Sequence, residues 1–248
     1  MTNLIASALC LILLAISPAR AADPGVDDII DRVDRLYRSQ TSYAEIEMEI
    51  VTPNWQRTIK MEMWTEGMKK TFAVITAPKK DAGIATLRDG TEMWNYFPRI
   101  NKVMKIPPSM MMGSWMGSDF TNDDIVKESS LSDDYYAELM PTSNADVYVI
   151  GLTPRSNTAT VWGRITITVR KSDLIPLEEA FYDERGQQMR VMTFSDIQTF
   201  DGRTLPAVMD LVPHSKEGHR TVIRYLNAQF DQTLDGDLFS LRNLRKRR

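Results

Sequence analysis

From Glu45 to Ile50 acidic and apolar residues alternate without a break. A period of two marks a strand with one buried and one wet face. Ile59, Met61 and Met63 repeat the pattern against Lys60 and Glu62. Before it the period is helical: Val26, Ile29, Ile30, Val33, Leu36 and Tyr37 fall on one face. Asp23 and Pro24 supply a capping carboxylate and a first-turn proline. The spacing predicts one amphipathic helix ending near Ser39. After it come strand-like runs at Phe72 to Thr76, Gly83 to Leu87, Glu92 to Phe97 and Lys102 to Ile106. A second series runs through Val147 to Leu152, Val161 to Arg170, Leu174 to Tyr182, Gln188 to Phe194, Leu205 to Val212 and Arg220 to Phe230. Asp89-Gly90, Asp183 to Gly186 and Asp201-Gly202 read as turns. Short strands at this spacing form an antiparallel meander that rolls into a barrel or sandwich, and a long sheet tends to curl. Ile46, Met48, Ile59, Met61 and Met63 would line its concave face if that face points inward; alternation leaves the choice open.

The stretch from Met93 to Ile125 breaks the pattern. An apolar run, Met110 to Met112 with Trp115 and Met116, sits between Pro107-Pro108 and the acidic segment Asp119 to Asp124. Large apolar side chains in a loop cover something or bind something, and unbranched, polarizable methionine suits guests of variable shape. Two readings fit. One is the rim and lid of an apolar cavity, with Ser109 to Gly117 hinged at Gly113 and Gly117. The other is a loop folded over its own core. A short helix is expected at Asn122 to Lys127, with Thr121 as its cap, and Ser129 to Ser143 reads as a polar, irregular surface excursion.

Leu4 to Ile16 is apolar and too short to span a membrane, and Ala19-Arg20-Ala21 offers small residues where a signal peptidase reads. Residues 1–21 are expected to be a signal peptide, leaving residues 22–248 as one exported, periplasmic domain. Cys10, the single cysteine, would leave with it, which excludes disulfides and thiolate chemistry from the mature chain. Loss of Arg20 takes the formal net charge from −3 to −4, which argues against general nucleic-acid binding.

No arrangement for catalysis stands out, so no enzyme activity and no cofactor are expected. His214 and His219 lie near a turn, and Ser215 has no nucleophile-elbow pattern around it. Asp119, Asp123 and Asp124 lack the spacing and glycine of a calcium loop and suit the first turn of a helix without a metal. Met104, Met110, Met111, Met112 and Met116 with Trp115 could instead be soft ligands for Cu(I) or Ag(I), the alternative function. Methionines spread through the strands, at Met48, Met61, Met63, Met189 and Met192, fit an apolar lining better. The basic run Arg242 to Arg248 reads as a solvated tail.

Met93-Trp94-Asn95-Tyr96-Phe97-Pro98 followed by Ser114-Trp115-Met116-Gly117-Ser118-Asp119-Phe120-Thr121-Asn122-Asp123-Asp124-Ile125 resembles the periplasmic outer membrane lipoprotein-sorting group, related to the carrier LolA and its receptor LolB. Asp34 to Ser39 and Pro78 to Gly83 add to the resemblance. It implies a mainly β fold: a strongly curved antiparallel sheet forming an unclosed barrel, with an N-terminal helix and short helices as a lid over a hydrophobic cavity. It implies a carrier of lipoprotein or lipid acyl chains, and a resistance-nodulation-division transporter as membrane partner. A cavity-rim role follows for Trp94, Tyr96, Trp115, Met116 and Phe120; Met104 and Met110 to Met112 complete the expected rim and lid.

Overall fold

The computed structural model describes residues 23–126, 131–156, 158 and 160–246; the expected signal peptide lies outside them. A first helix, α1 (Val26–Asp34), is followed by β1 (Thr41–Val51), β2 (Gln56–Glu66), β3 (Lys70–Ala77), β4 (Ala85–Asp89), β5 (Glu92–Phe97) and β6 (Lys102–Lys105). The methionine-rich insertion then leads through α2 (Asn122–Val126) and α3 (Leu131–Asp134) into β7 (Tyr135–Met140). The chain continues with β8 (Val147–Pro154), β9 (Arg164–Arg170), β10 (Pro176–Tyr182), β11 (Gln188–Phe200), β12 (Arg203–Pro213) and β13 (Arg220–Phe230). A last short helix, α4, is Leu241–Leu244.

All thirteen strands form one antiparallel sheet in the order β6-β5-β4-β3-β2-β1-β13-β12-β11-β10-β9-β8-β7. Two meanders run inward from the edges and join where β1 pairs with β13. The edges β6 and β7 are not paired with each other, so the sheet is an unclosed barrel. The insertion is the chain that joins these two edges.

The alternation on β1 and β2 works as the pattern requires. Met48 faces Ile59 and Ile46 faces Met61 across the ladder, while Glu47 faces Lys60 on the other side of the sheet. Ile46, Met48, Ile59 and Met61 are buried on the inner face. β3 departs from alternation because both its faces are covered. Ala73 and Ile75 join the inner cluster. Phe72 and Val74 point outward into a second cluster with Leu87 and Tyr96, sealed by Leu244 from the C-terminal segment.

Three local expectations differ from what forms. Gly25, not Asp23, is the N-cap of α1, and no side chain caps it. Asp23 instead accepts a hydrogen bond from the Tyr148 hydroxyl at 3.1 Å. The helix ends at Asp34 rather than near Ser39. Leu36 and Tyr37 leave the helical face to join Leu205, Ala228 and Phe230, and Arg203 donates to the carbonyls of Arg35 and Arg38 at 3.2 and 2.7 Å, which satisfies a chain end. The stretch expected to be irregular contains α3 and β7. β7 is an edge strand on which only Tyr135 is buried, so its sequence shows little alternation.

Gly163 enters β9 beneath the β10–β11 turn. A Cβ there would lie 2.6 Å from the Asp183 carbonyl oxygen and 2.7 Å from Glu184 Cα. Both are backbone atoms, so the turn itself must move. Gly163→Ala is expected to cost about 1–3 kcal/mol, read as a lower urea midpoint; an unchanged midpoint would show that the turn yields freely.

Candidate functional site: an apolar cavity under the insertion

Two buried clusters occupy the concave face. One joins Ile29, Ile30 and Val33 of α1 to inward residues of β7 to β10. The other joins Ile46, Met48, Ile59 and Met61 to Trp115 of the insertion. Between them lies a cavity of about 330 Å3, within the size range of small-molecule pockets. Its floor comes from strands on both sides of the seam: Ile46 and Met63, then Ile223 and Tyr225, then Met209 and Leu211, and then Met192, Phe194, Phe181 and Ile165. A flat sheet could not aim strands so far apart at one space. Its roof is Val33 and Tyr37 from the α1 region, with Trp115, Phe120, Ile125 and Leu131 from the insertion.

The roof is fixed by polar contacts. Trp115 is buried; its indole N–H donates to Thr86 Oγ1 at 3.2 Å and its backbone N–H to the Phe120 carbonyl at 2.8 Å. The backbone N–H groups of Asn122 and Asp123 donate to the carbonyls of Gly113 and Met111 at 2.9 and 2.8 Å. Thr121 and Asp124 cap each other at the start of α2: Asp124 N–H donates to Thr121 Oγ1 at 3.1 Å, and Thr121 N–H to Asp124 Oδ2 at 2.8 Å. Asp124 also receives both arms of Arg190 from β11, each at 2.7 Å. That guanidinium lies 4.2 Å over the Phe181 ring and 4.5 Å over Trp162. The pair is almost wholly buried and clamps the insertion to the far half of the sheet.

Other ionisable groups line the same space. Asp34 accepts from the Leu131 N–H at 2.6 Å, tying the end of α1 to the start of α3. Burial pushes its carboxyl up to about 7; the negative charges of Glu179 and Asp31 push the same way, and the Leu131 and Ser132 N–H groups oppose them. Tyr37 and Tyr225 stack at 5.0 Å. Burial raises both phenols, that of Tyr225 to about 12. Burial lowers the Arg38 guanidinium, whose hydrogen bonds to Gly67 O and Thr71 Oγ1 are long, 3.5 and 3.4 Å.

The expected rim and lid residues separate into four places. Trp115 and Phe120 line the cavity. Met111 and Met116 pack against the inner cluster behind Trp115. Trp94 and Tyr96 belong to the cluster on the opposite face of the sheet, where the Tyr96 hydroxyl donates to Asn101 Oδ1 at 3.1 Å. Met104, Met110 and Met112 are exposed. The six named for soft-metal binding are thus divided between core and solvent. Asp119 accepts from Thr221 Oγ1 at 2.8 Å and lies 3.3 Å from His219 Nδ1.

The fold is LolA-like, a mainly β, unclosed antiparallel barrel. It is similar to a LolA superfamily protein from Nitrosomonas europaea (TM-score 0.73, 18% identity, 88% of this chain and 98% of that one). It is also similar to a domain from Vibrio parahaemolyticus assigned to outer membrane lipoprotein sorting (TM-score 0.76, 20% identity, 89% and 98%). A DUF1329 family protein from Desulfovibrio piger matches at TM-score 0.78 and 26% identity, over 88% of this chain and 97% of that one. A family model described as an uncharacterized protein matches residues 67–246, and the chain belongs to that family. No curated protein matches the sequence.

Removing Arg190 would strand a buried carboxylate. Arg190→Ala is expected to destabilise the fold by about 3–5 kcal/mol, and the double variant with Asp124→Ala to recover part of that loss. Additive losses in denaturant melts would mean the two act independently. The Asp34 carboxyl ordinarily titrates near 3.8 and in the fold near 7. The folded chain therefore keeps a proton that the unfolded chain gives up, so this group's contribution is full below about pH 4 and is lost as pH rises through about 7. Asp34→Asn keeps an oxygen for Leu131 and cannot ionise. Its melting temperature relative to the parent should rise from pH 5 to pH 8; a constant difference would contradict the assignment.

Proposed function

We propose that the protein is a periplasmic carrier that holds the acyl chains of a lipoprotein or lipid in this cavity on the way towards the outer membrane. The observation that carries the reading is a hollow lined by methionine and aromatic side chains, beneath a roof pinned by its own hydrogen bonds. Hiding a twelve-carbon chain from water gains about 10 kcal/mol at roughly 0.8 kcal/mol per methylene. Met63, Met68, Met192 and Met209 on the walls can repack around chains of different length, which favours capture without tight shape selection. The lipoprotein-sorting name of the similar Vibrio parahaemolyticus domain fits the same role.

The roof must move for a guest to enter. Ser109 to Gly117 is the moving lid in this reading. Met116 and Gly117 hold left-handed backbone (φ 53° and 81°) beside the buried Trp115, so that corner is a natural place for the loop to swing. A membrane transporter of the resistance-nodulation-division type is the proposed donor or acceptor. No bond is made or broken in this function.

Filling the hollow tests it. Ile223→Trp places an indole where the chain would lie. Organic extraction and mass spectrometry of the parent should return acyl lipid near one equivalent, and the filled variant, with parent-like circular dichroism, should return at least about tenfold less. Equal lipid in both would rule out this cavity as the carrier site.

A further inference from the structure

A larger groove, about 700 Å3, opens on the outer side of the α1 end. Arg38 and Met68 line both this groove and the apolar cavity, so two side chains separate an oily chamber from a charged one. Four arginines, Arg32, Arg35, Arg38 and Arg203, face two aspartates, Asp28 and Asp31, across the groove. Asp31 is already engaged by Arg35 at 2.8 Å. Arg203 spends its donors on the carbonyls of Arg35 and Arg38 and on Ser39 Oγ.

Arg38 differs from its neighbours in lining both chambers. Like the exposed Arg32 it forms no ion pair among the described residues, and its two hydrogen bonds are at the long limit. A desolvated guanidinium without a counter-charge is costly, and a planar guanidinium is the side chain best shaped for a carboxylate or phosphate. The apolar chamber offers an anion no comparable partner: Asp34 and Glu179 line it, and its other arginine, Arg190, is taken by Asp124. An acidic headgroup is therefore favoured at Arg38, where the two chambers meet.

We propose that the guest is an anionic amphiphile, carried with its alkyl chain in the cavity and its carboxylate or phosphate in the arginine groove against Arg38. This rests on the carrier reading and narrows it: a neutral acyl group would use the same chamber without the groove.

The test is displacement of N-phenyl-1-naphthylamine fluorescence from the purified, delipidated protein by dodecanoate, dodecyl phosphate and dodecanol. Both anions should compete roughly tenfold better than dodecanol at low salt, and their ratio tells a carboxylate guest from a phosphate one. Arg38→Gln should bring the anion-to-alcohol ratio close to one, and Arg38→Lys should keep part of it. If Arg38→Gln does not fold, the parent alone decides, because its preference should shrink between 50 and 500 mM NaCl. Dodecanol competing as well as the anions, or a preference indifferent to salt, overturns the proposal and leaves the carrier reading standing. Failure of every alkyl ligand, dodecanol included, to displace the probe overturns both.

Discussion

A sheet whose first and last strands do not meet has to cover its inner face with something other than itself. Here β6 and β7 stay apart, and the chain that runs from one to the other crosses the open side. Trp115 anchors that crossing in the inner cluster of one half, and Asp124 anchors it to Arg190 in the other. Between the two anchors the roof is held at a distance from the floor. The hollow follows from this geometry, because the apolar clusters on either side are each complete and neither reaches across.

The charges around the hollow give it polarity. Two acids in its lining, an ion pair in its roof, and Arg38, which has no ion pair among the described residues, at its junction with the arginine groove make its wall uneven in charge. In the proposed carrier the apolar walls hold the alkyl chain and Arg38 holds its acidic end. Weak dispersion contacts to methionine and ring faces are easily remade, which suits the release step of the proposed carrier.

Much of the fold was legible in period alone. Strict alternation in Glu45 to Ile50 and in Arg164 to Arg170 gave strands and their buried faces, and β7 was hidden because an edge strand with one buried residue barely alternates. Within the SWMGSDF stretch, Trp115 and Phe120 line the hollow and Met116 packs behind it. Trp94 and Tyr96 precede that stretch on β5, where the pleat sends them to the outer face, and sequence cannot say that the C-terminal segment covers them there. The polar groups of the cavity carried a signal that went unread. Arg190 stands in phase with Met192 and Phe194, Glu179 in phase with Phe181, and Asp34 next to the apolar stripe of α1. A charge at an apolar phase is the mark of a buried polar partner or a guest. Arg38 had no such mark, since its place at the junction of two chambers depends on where α1 ends.

The most direct measurement is a methyl spectrum of 13C-methionine-labelled protein titrated with dodecanoate. A chain in the hollow should shift Met63, Met192 and Met209 and give nuclear Overhauser contacts from its methylenes to them, while the exposed Met104 and Met112 stay still. Contacts confined to the exposed methionines, or none at any concentration that saturates binding, would contradict a guest in the cavity.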